Sequence, residues 1–397
     1  PYFTPAQDPP SGTIVVPSNG AAVPRLFQPL TIRGLTFRNR IWVSPLCQYS
    51  AEDGKMTAWH MSQLGGWLSR GPGLTMIEGT AVAEFGRIDP NGLGLWKDEQ
   101  IASIKEVVDF AHSQSQLIAI QLFHSGRKGS SVAPWLGNHK ATKKAGGFGD
   151  KLIGPSAVPY GAGSFVPKEM TLSDIEDFRR AWVEAVERSL KAGFDVIEIH
   201  AAHGFLLHSF LSPVSNKRTD KYGGSFENRI RLLLEVIHDT RCRVGEKMPL
   251  FLRVSATDWL EETDIEGWTV EDTAKLSLRA AEVGIDFIDV SSGGSSPFQK
   301  VKAGPAYQAS FSKYIKSVVK NKVLVGAVGT ITNGVQANDL LEDGLDAIFN
   351  GRLFQKNPGL VWAWADDLGV IVYAANQMKW GFKSIPGRRR VASAASS

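Results

Sequence analysis

Cysteine is nearly absent from this chain: Cys47 and Cys242 are its two, among 397 residues. Two thiols so far apart cannot build a disulfide framework, and the shortage favours a reducing compartment. Long apolar runs are missing as well, none approaching membrane-spanning length. Residues 1–23 are rich in Pro, Ser and Gly without the charged-then-apolar pattern of a leader, and read as an extended arm. Clustered charge is scarce. The formal net charge is +4, and Arg388, Arg389 and Arg390 supply much of it in what reads as a solvated tail, so a nucleic-acid-binding face is unsupported. No Gly-x-Gly-x-x-Gly turn follows the first strand candidate, which argues against an open doubly wound sheet. These absences leave the expectation of a soluble cytoplasmic protein with no nucleic-acid or membrane partner.

What is present suits a large core: 43% of the residues are hydrophobic and 21% charged. Eight short apolar runs, at 41–44, 74–80, 117–123, 196–202, 250–256, 287–293, 323–329 and 347–352, read as strands buried on both faces. Helical patterns lie between them. Ser173 to Glu176 reads as a capping box with Gly193 as the stop, and Thr269 to Asp272 opens another helix closed by Gly284. Residues 228–244 and 308–321 carry the same apolar spacing. Eight strand–helix units predict an α/β fold, a (β/α)8 TIM barrel in a single domain. The expected division is an arm over 1–24, the barrel over 25–375 and a tail over 376–397. Residues 31–37, centred on Arg33 and Gly34, look like a hairpin that plugs the barrel bottom. Residues 123–171, after the third strand, form a connection long enough to be a lid or binding loop.

A barrel gathers its strand C-termini around one mouth, and chemistry is kept there. The fourth run ends in Ile197-Glu198-Ile199-His200-Ala201-Ala202-His203-Gly204-Phe205. Its histidines are either one packed and one exposed ring, or a pair that binds and polarises something. The first strand ends in Ser44-Pro45-Leu46-Cys47-Gln48-Tyr49, the second in Glu78-Gly79-Thr80, the third in Gln121-Leu122-Phe123-His124, and the fifth carries Arg253. Glycine turns at Gly329 and at Asn350-Gly351-Arg352 end the last two strands. Such turns let backbone N–H groups close on a phosphate, and Arg352 adds a fixed charge. With Gln121 and Arg253 they outline donors for a polar-edged ring system bearing a phosphate, a description that flavin mononucleotide (FMN) fits.

The chain resembles the Old Yellow Enzyme family of FMN-dependent ene-reductases from residue 25 to about 375. The resemblance is carried by 39–49, by Ile77-Glu78-Gly79-Thr80, by the His200/His203 segment and by 211–229, which includes Arg218-Thr219-Asp220-Lys221-Tyr222-Gly223-Gly224. Cys47 together with a His–His pair is similar to the thermophilic-like branch. The resemblance implies non-covalent FMN, with the backbone of Ser44, Pro45, Leu46 and Cys47 along one flavin edge and Cys47 near N5 and O4. Gly79 would leave room for the ring, Gln121 would pair with the pyrimidine edge, and Arg253 would lie near N1 and O2. Gly329, Asn350, Gly351 and Arg352 would hold the phosphate end. His200 and His203 would donate jointly to the carbonyl of an α,β-unsaturated substrate, with Tyr49 lining the pocket and NADPH as reductant.

One position departs from that pattern. The family usually has a proton-donating Tyr two residues after the second His, where this chain has Phe205, which cannot donate. A missing general acid costs roughly 10²- to 10⁴-fold in a proton-transfer step unless replaced, by water, Tyr49 or Tyr160 for instance. The alternative function is double-bond isomerisation, or a step of secondary metabolism, at the same site without net reduction. In this branch the C-terminal residues of a neighbouring subunit can complete the pocket, which makes Lys379, Trp380 and Arg388 candidates within a homodimer or higher homo-oligomer. A metal hydrolase built on His200, His203 and Glu198 is the rival. No further ligand cluster supports it, and no metal is expected.

Overall fold

The computed structural model describes residues 7–18, 20–137 and 139–382. An antiparallel hairpin, β1 (Leu30–Ile32) and β2 (Leu35–Phe37), leads into the barrel, with Arg33 in the left-handed region (φ 51°) at its turn. The barrel strands are β3 (Ile41–Val43), β4 (Leu74–Ala81), β5 (Ile118–Phe123), β8 (Val196–Ala201), β9 (Leu250–Ser255), β10 (Phe287–Ser291), β11 (Leu324–Ala327) and β12 (Ala347–Asn350). All run parallel, and β12 pairs back onto β3 to close the barrel. Between β5 and β8, the short pair β6 (Ile153–Gly154) and β7 (Lys168–Glu169) organises the long connection. The helices are α1 (Ala58–Leu68), α2 (Ile101–Ser113), α3 (Leu172–Ala192), α4 (Leu206–Leu211), α5 (Phe226–Val244), α6 (Val270–Val283), α7 (Ala309–Val319), α8 (Gly334–Glu342), α9 (Arg352–Lys356) and α10 (Leu360–Asp367). The expected (β/α)8 barrel is the fold.

Apolar runs become strands here because both faces are covered, by helices outside and by the filled interior inside. The lower interior is aromatic. The Trp42 ring lies 4.7 Å from that of Phe37, 5.5 Å from Phe251, 5.0 Å from Phe287 and 5.3 Å from Phe349. Phe37 comes from the hairpin, so β1 and β2 do plug the bottom. The arm crosses the same end: Asn39 Nδ2 donates to the carbonyls of Gly12 and Gly71, at 3.1 and 2.9 Å. Beyond that crossing, Thr13 and Val15 pair with the backbone at Tyr373 and Ile371.

Helix starts follow capping chemistry, with one correction. Helix α6 opens on the Thr269/Asp272 box as expected, and Gly284 closes it at φ +117°. Helix α3 opens two residues before the expected Ser173. The Thr171 hydroxyl accepts from Asp174 N–H at 3.1 Å, and Asp174 accepts from Thr171 N–H at 2.8 Å. Two boxes overlap in Thr171–Glu176, and the earlier one also lets Lys168 reach Asp174 at 3.1 Å.

Register places the site. Gln121 stands opposite Glu198, and Arg253 stands between His200 and Asp289 on adjacent strands. In β4 the pairing with β5 skips Glu78, a bulge that brings Gly79 level with Gln121.

Replacing Phe37 with Ala should lower unfolding stability by about 3–5 kcal/mol, as for other large buried aromatics. Urea denaturation measures it; a loss under about 1 kcal/mol would mean that the hairpin is not part of the core.

Candidate active site

The strand C-termini open onto a cavity of about 520 Å³. Ser44, Pro45 and Leu46 form one wall, Arg253 and Ser291 the floor, and Gly329, Asn350, Gly351 and Arg352 the far end. The far end is built for close approach. Gly329 has φ +110°, and a Cβ there would lie 2.6 Å from Gln308 Nε2. A Cβ at Gly351 would lie 2.9 Å from Leu46 Cδ2. Asn350 spends its side chain within the fold, donating to Ile331 O at 2.7 Å and accepting from Leu353 N–H at 3.3 Å. Arg352 and Lys356, one turn apart on α9, present two exposed cations to this end.

The inner end holds unspent donors. The Arg253 guanidinium is 8% exposed, and among the described residues none of its N–H groups makes a hydrogen bond. Its Nε lies 3.2 Å from Asp289 Oδ2, within ion-pair distance but without the alignment of a hydrogen bond. The Ser44 hydroxyl is likewise buried and unpartnered. Gln121 Nε2 donates to Glu198 Oε1 at 2.7 Å, which turns the amide oxygen towards Gly79. Burial pushes both Glu198 and Asp289 up, the nearby Arg253 opposing it in each. Buried donors at one end and a cationic, glycine-lined cradle at the other fit a ligand with a polar ring and a terminal phosphate, as FMN is.

The histidines stand beside this floor. Ala202 N–H donates to His200 Nδ1 at 3.1 Å, which leaves the proton of a neutral ring on Nε2. That Nε2 is 3.4 Å from His203 Nδ1, and His203 Nε2 is 2.7 Å from the Ser291 hydroxyl. His203 occupies the left-handed region (φ 60°), with its N–H on Ser255 Oγ at 2.9 Å. Burial first, then the positive field of Arg253, holds both imidazoles well below their ordinary value, so both rings are neutral. The Phe205 ring lies 5.2 Å from His200 and 5.4 Å from Phe123. Tyr49 (φ 53°) meets Trp135 of the long connection edge-on at 5.4 Å, and burial pushes its phenol up. Burial, then repulsion by Glu78 and Asp89, pushes the Cys47 thiol up, so it stays protonated.

Glu198, the metal rival's carboxylate, is engaged by Gln121, and among the described residues no group of three or more His, Cys, Asp or Glu is placed to hold a metal ion. Of the tail candidates, Lys379 and Trp380 lie on the turn Asn376–Phe382, beside Gln377, which accepts from Gln7 at 2.8 Å; Arg388 lies outside the described residues. Sequence reasoning missed Asp289, Ser291, Gln308 and Lys128. Asp289, an acid inside an apolar run, was a readable signal; Gln308 reaches the site from the start of α7 and carried none.

A family model described as the NADH:flavin oxidoreductase / NADH oxidase family matches residues 25–368. An NADH:flavin oxidoreductase of Gibberella zeae is 53% identical over 393 residues, covering 96% of this chain and 94% of that protein. An NADPH dehydrogenase of a Geobacillus species is 40% identical over 361 residues, covering 90% and 98%. Among solved structures, morphinone reductase matches with a TM-score of 0.71 at 25% identity, over 88% of this chain and 91% of that one. The Old Yellow Enzyme homologue of Zymomonas mobilis matches at 0.71 with 26% identity, over 88% and 94%. Both the match along the barrel and the chemistry of its mouth lead to one conclusion: the chain belongs to the NADH:flavin oxidoreductase / NADH oxidase family, that of Old Yellow Enzyme, and is an oxidoreductase with non-covalent FMN as cofactor and NAD(P)H as reductant.

Proposed function

We propose that this enzyme reduces the C=C bond of α,β-unsaturated carbonyl compounds, in the cytoplasm and within the barrel of residues 25–375. FMN, when bound there and reduced by NAD(P)H, would supply hydride to the β-carbon. Arg253 and Gln121 would hold its ring edge, with Ser44, Pro45, Leu46 and Cys47 alongside and Gly79 making room. Gly329, Asn350, Gly351 and Arg352 would hold its phosphate end.

The observation that carries the reading is the approach of His200 Nε2 to His203 Nδ1 at 3.4 Å, which is long for a hydrogen bond. If the Ser291 hydroxyl turns from Gln308 Oε1, 3.5 Å away, to donate to His203 Nε2, the His203 proton sits on Nδ1. Both rings would then offer N–H groups to one carbonyl oxygen. Oxyanion character grows on that oxygen as hydride arrives, so the pair stabilises the transition state more than the substrate. Tyr49, with its phenol kept protonated by burial, would line the same pocket.

Phe205 favours a second reading. With no hydroxyl beside the α-carbon, a hydride can leave the enolate before a proton arrives; when it departs from a second β-carbon rather than the one that received hydride, the net result is double-bond migration. The tail, with Lys379, Trp380 and Arg388, would complete the pocket of a second copy in a homodimer or higher oligomer.

Three outcomes are expected. Arg352→Ala should weaken FMN binding by about 1–2 kcal/mol, the worth of an exposed charge-assisted contact; flavin fluorescence titration measures it, and unchanged affinity would move the phosphate elsewhere. Changing His200 or His203 to Ala should leave FMN bound but weaken a phenolate ligand about 10- to 100-fold, read from its long-wavelength charge-transfer band. Loss of FMN with an unaltered band after reconstitution would assign the histidines to the flavin. Phe205→Tyr should shift product from rearranged to saturated, or raise the reduction rate, with an α-methylene cyclic ketone, which offers a second β-carbon, in deuterated water. No change in ratio or rate would mean that another group already gives the proton.

A further inference from the structure

Lys128 stands beside the carbonyl site, and the reading above gives it no part. It ends the turn Gly126–Lys128 after β5, and its Nζ donates to the carbonyl oxygens of His203 and Gly294, each at 2.7 Å. The same Nζ is 5.4 Å from the centre of the Phe205 ring and 4.6 Å from that of Tyr160. An ammonium has three protons. Two are spent on carbonyls and the third is committed to no hydrogen bond, with the Phe205 ring in turn 5.2 and 6.5 Å from those of His200 and His203. The ammonium therefore lies against the ring whose missing hydroxyl creates the difficulty.

We propose that Lys128 is the general acid of this enzyme, passing a proton from Nζ to the α-carbon in place of the phenol that position 205 lacks. The inference rests on the reading of the site as one that reduces a polarised C=C bond. Hydride addition at the β-carbon leaves an enolate, whose oxygen His200 and His203 hold. The enolate electron pair takes the Nζ proton, forming the α C–H bond and leaving a neutral amine. Water returns that proton. NAD(P)H is oxidised, the alkene is reduced, and one solvent proton is consumed.

The electrostatics suit this role. Burial, then the neighbouring Arg127, pushes the Lys128 ammonium down to about 7. The groups that face it do not change charge near neutrality. Arg127, lowered by burial to about 10, stays cationic. His200 and His203 stay neutral, and burial pushes the Tyr160 phenol up. Lys128 is thus the group whose proton is both held and released at working pH.

The test compares the wild-type holoenzyme with Lys128→Met, Lys128→Arg and Lys128→Met/Phe205→Tyr, using an α-methylene cyclic ketone and NADPH across the neutral range, with phenolate binding measured in each. Wild-type saturation should fall about tenfold per pH unit above about 7, as an acid is lost. Lys128→Met should lose saturation about 10²-fold or more, lose that limb and accumulate rearranged alkene, while binding the phenolate within a few-fold. Lys128→Arg keeps a charge but yields no proton at neutral pH, and should behave like Lys128→Met. Adding Phe205→Tyr should restore saturation. Wild-type rate, product ratio and pH limb in Lys128→Met would overturn the proposal. So would loss of the phenolate in that variant, or absence of rescue, which would make the lysine a prop for His203. A wild-type enzyme that neither saturates nor rearranges any enone would refute the proposed function itself, and this inference with it.

Discussion

The mouth of the barrel depends on a buried charge that the fold does not fully balance by hydrogen bonding. Arg253 lies on β9 between His200 and Asp289, close enough to Asp289 for an ion pair yet with its N–H groups unspent. A guanidinium at 8% exposure is costly to keep unless something accepts those donors. Burial, helped by the same field, holds His200 and His203 neutral, the form in which each has one proton to give. Glu198 acts one register step away. By accepting from Gln121 it fixes which end of that amide looks into the site. The donor pattern is therefore set before any ligand arrives, as preorganised sites require.

Below that layer the interior is indifferent to chemistry. Trp42, Phe251, Phe287 and Phe349 fill it from four strands, and Phe37 closes it from the hairpin. Rigid packing there fixes strand registers, and registers fix which side chains meet at the mouth. The bulge at Glu78 shows the dependence. One extra residue in β4 aligns Gly79 with Gln121, and a Cβ at position 79 would sit 3.3 Å from the Phe123 ring.

Much of this was legible in the residues. Strands buried on both faces leave uninterrupted apolar runs, so all eight were placed to within three residues of their observed ends. Glycine at 329 and 351 announced a close approach, and the structure gives each a neighbour that a Cβ would strike. Helix α3 was misread by two residues because two boxes overlap between Thr171 and Glu176, and composition does not rank them. The arm's pairing with Ile371 and Tyr373 joins opposite ends of the chain and leaves no local pattern. Lys128 was missed for a related reason. It follows a strand like many surface lysines, and what engages it arrives from elsewhere in the chain, the carbonyls of His203 and Gly294 and the rings of Tyr160 and Phe205.

In the proposed reaction, hydride held at this mouth is delivered to a polarised alkene. The most direct measurement is anaerobic. The purified holoenzyme is reduced with one equivalent of NADPH and then mixed with a cyclic enone in a stopped-flow spectrometer. Return of the oxidised flavin spectrum, with one saturated ketone formed per flavin, is the predicted result. A flavin that stays reduced with excess enone and reoxidises only when oxygen is admitted would rule that delivery out.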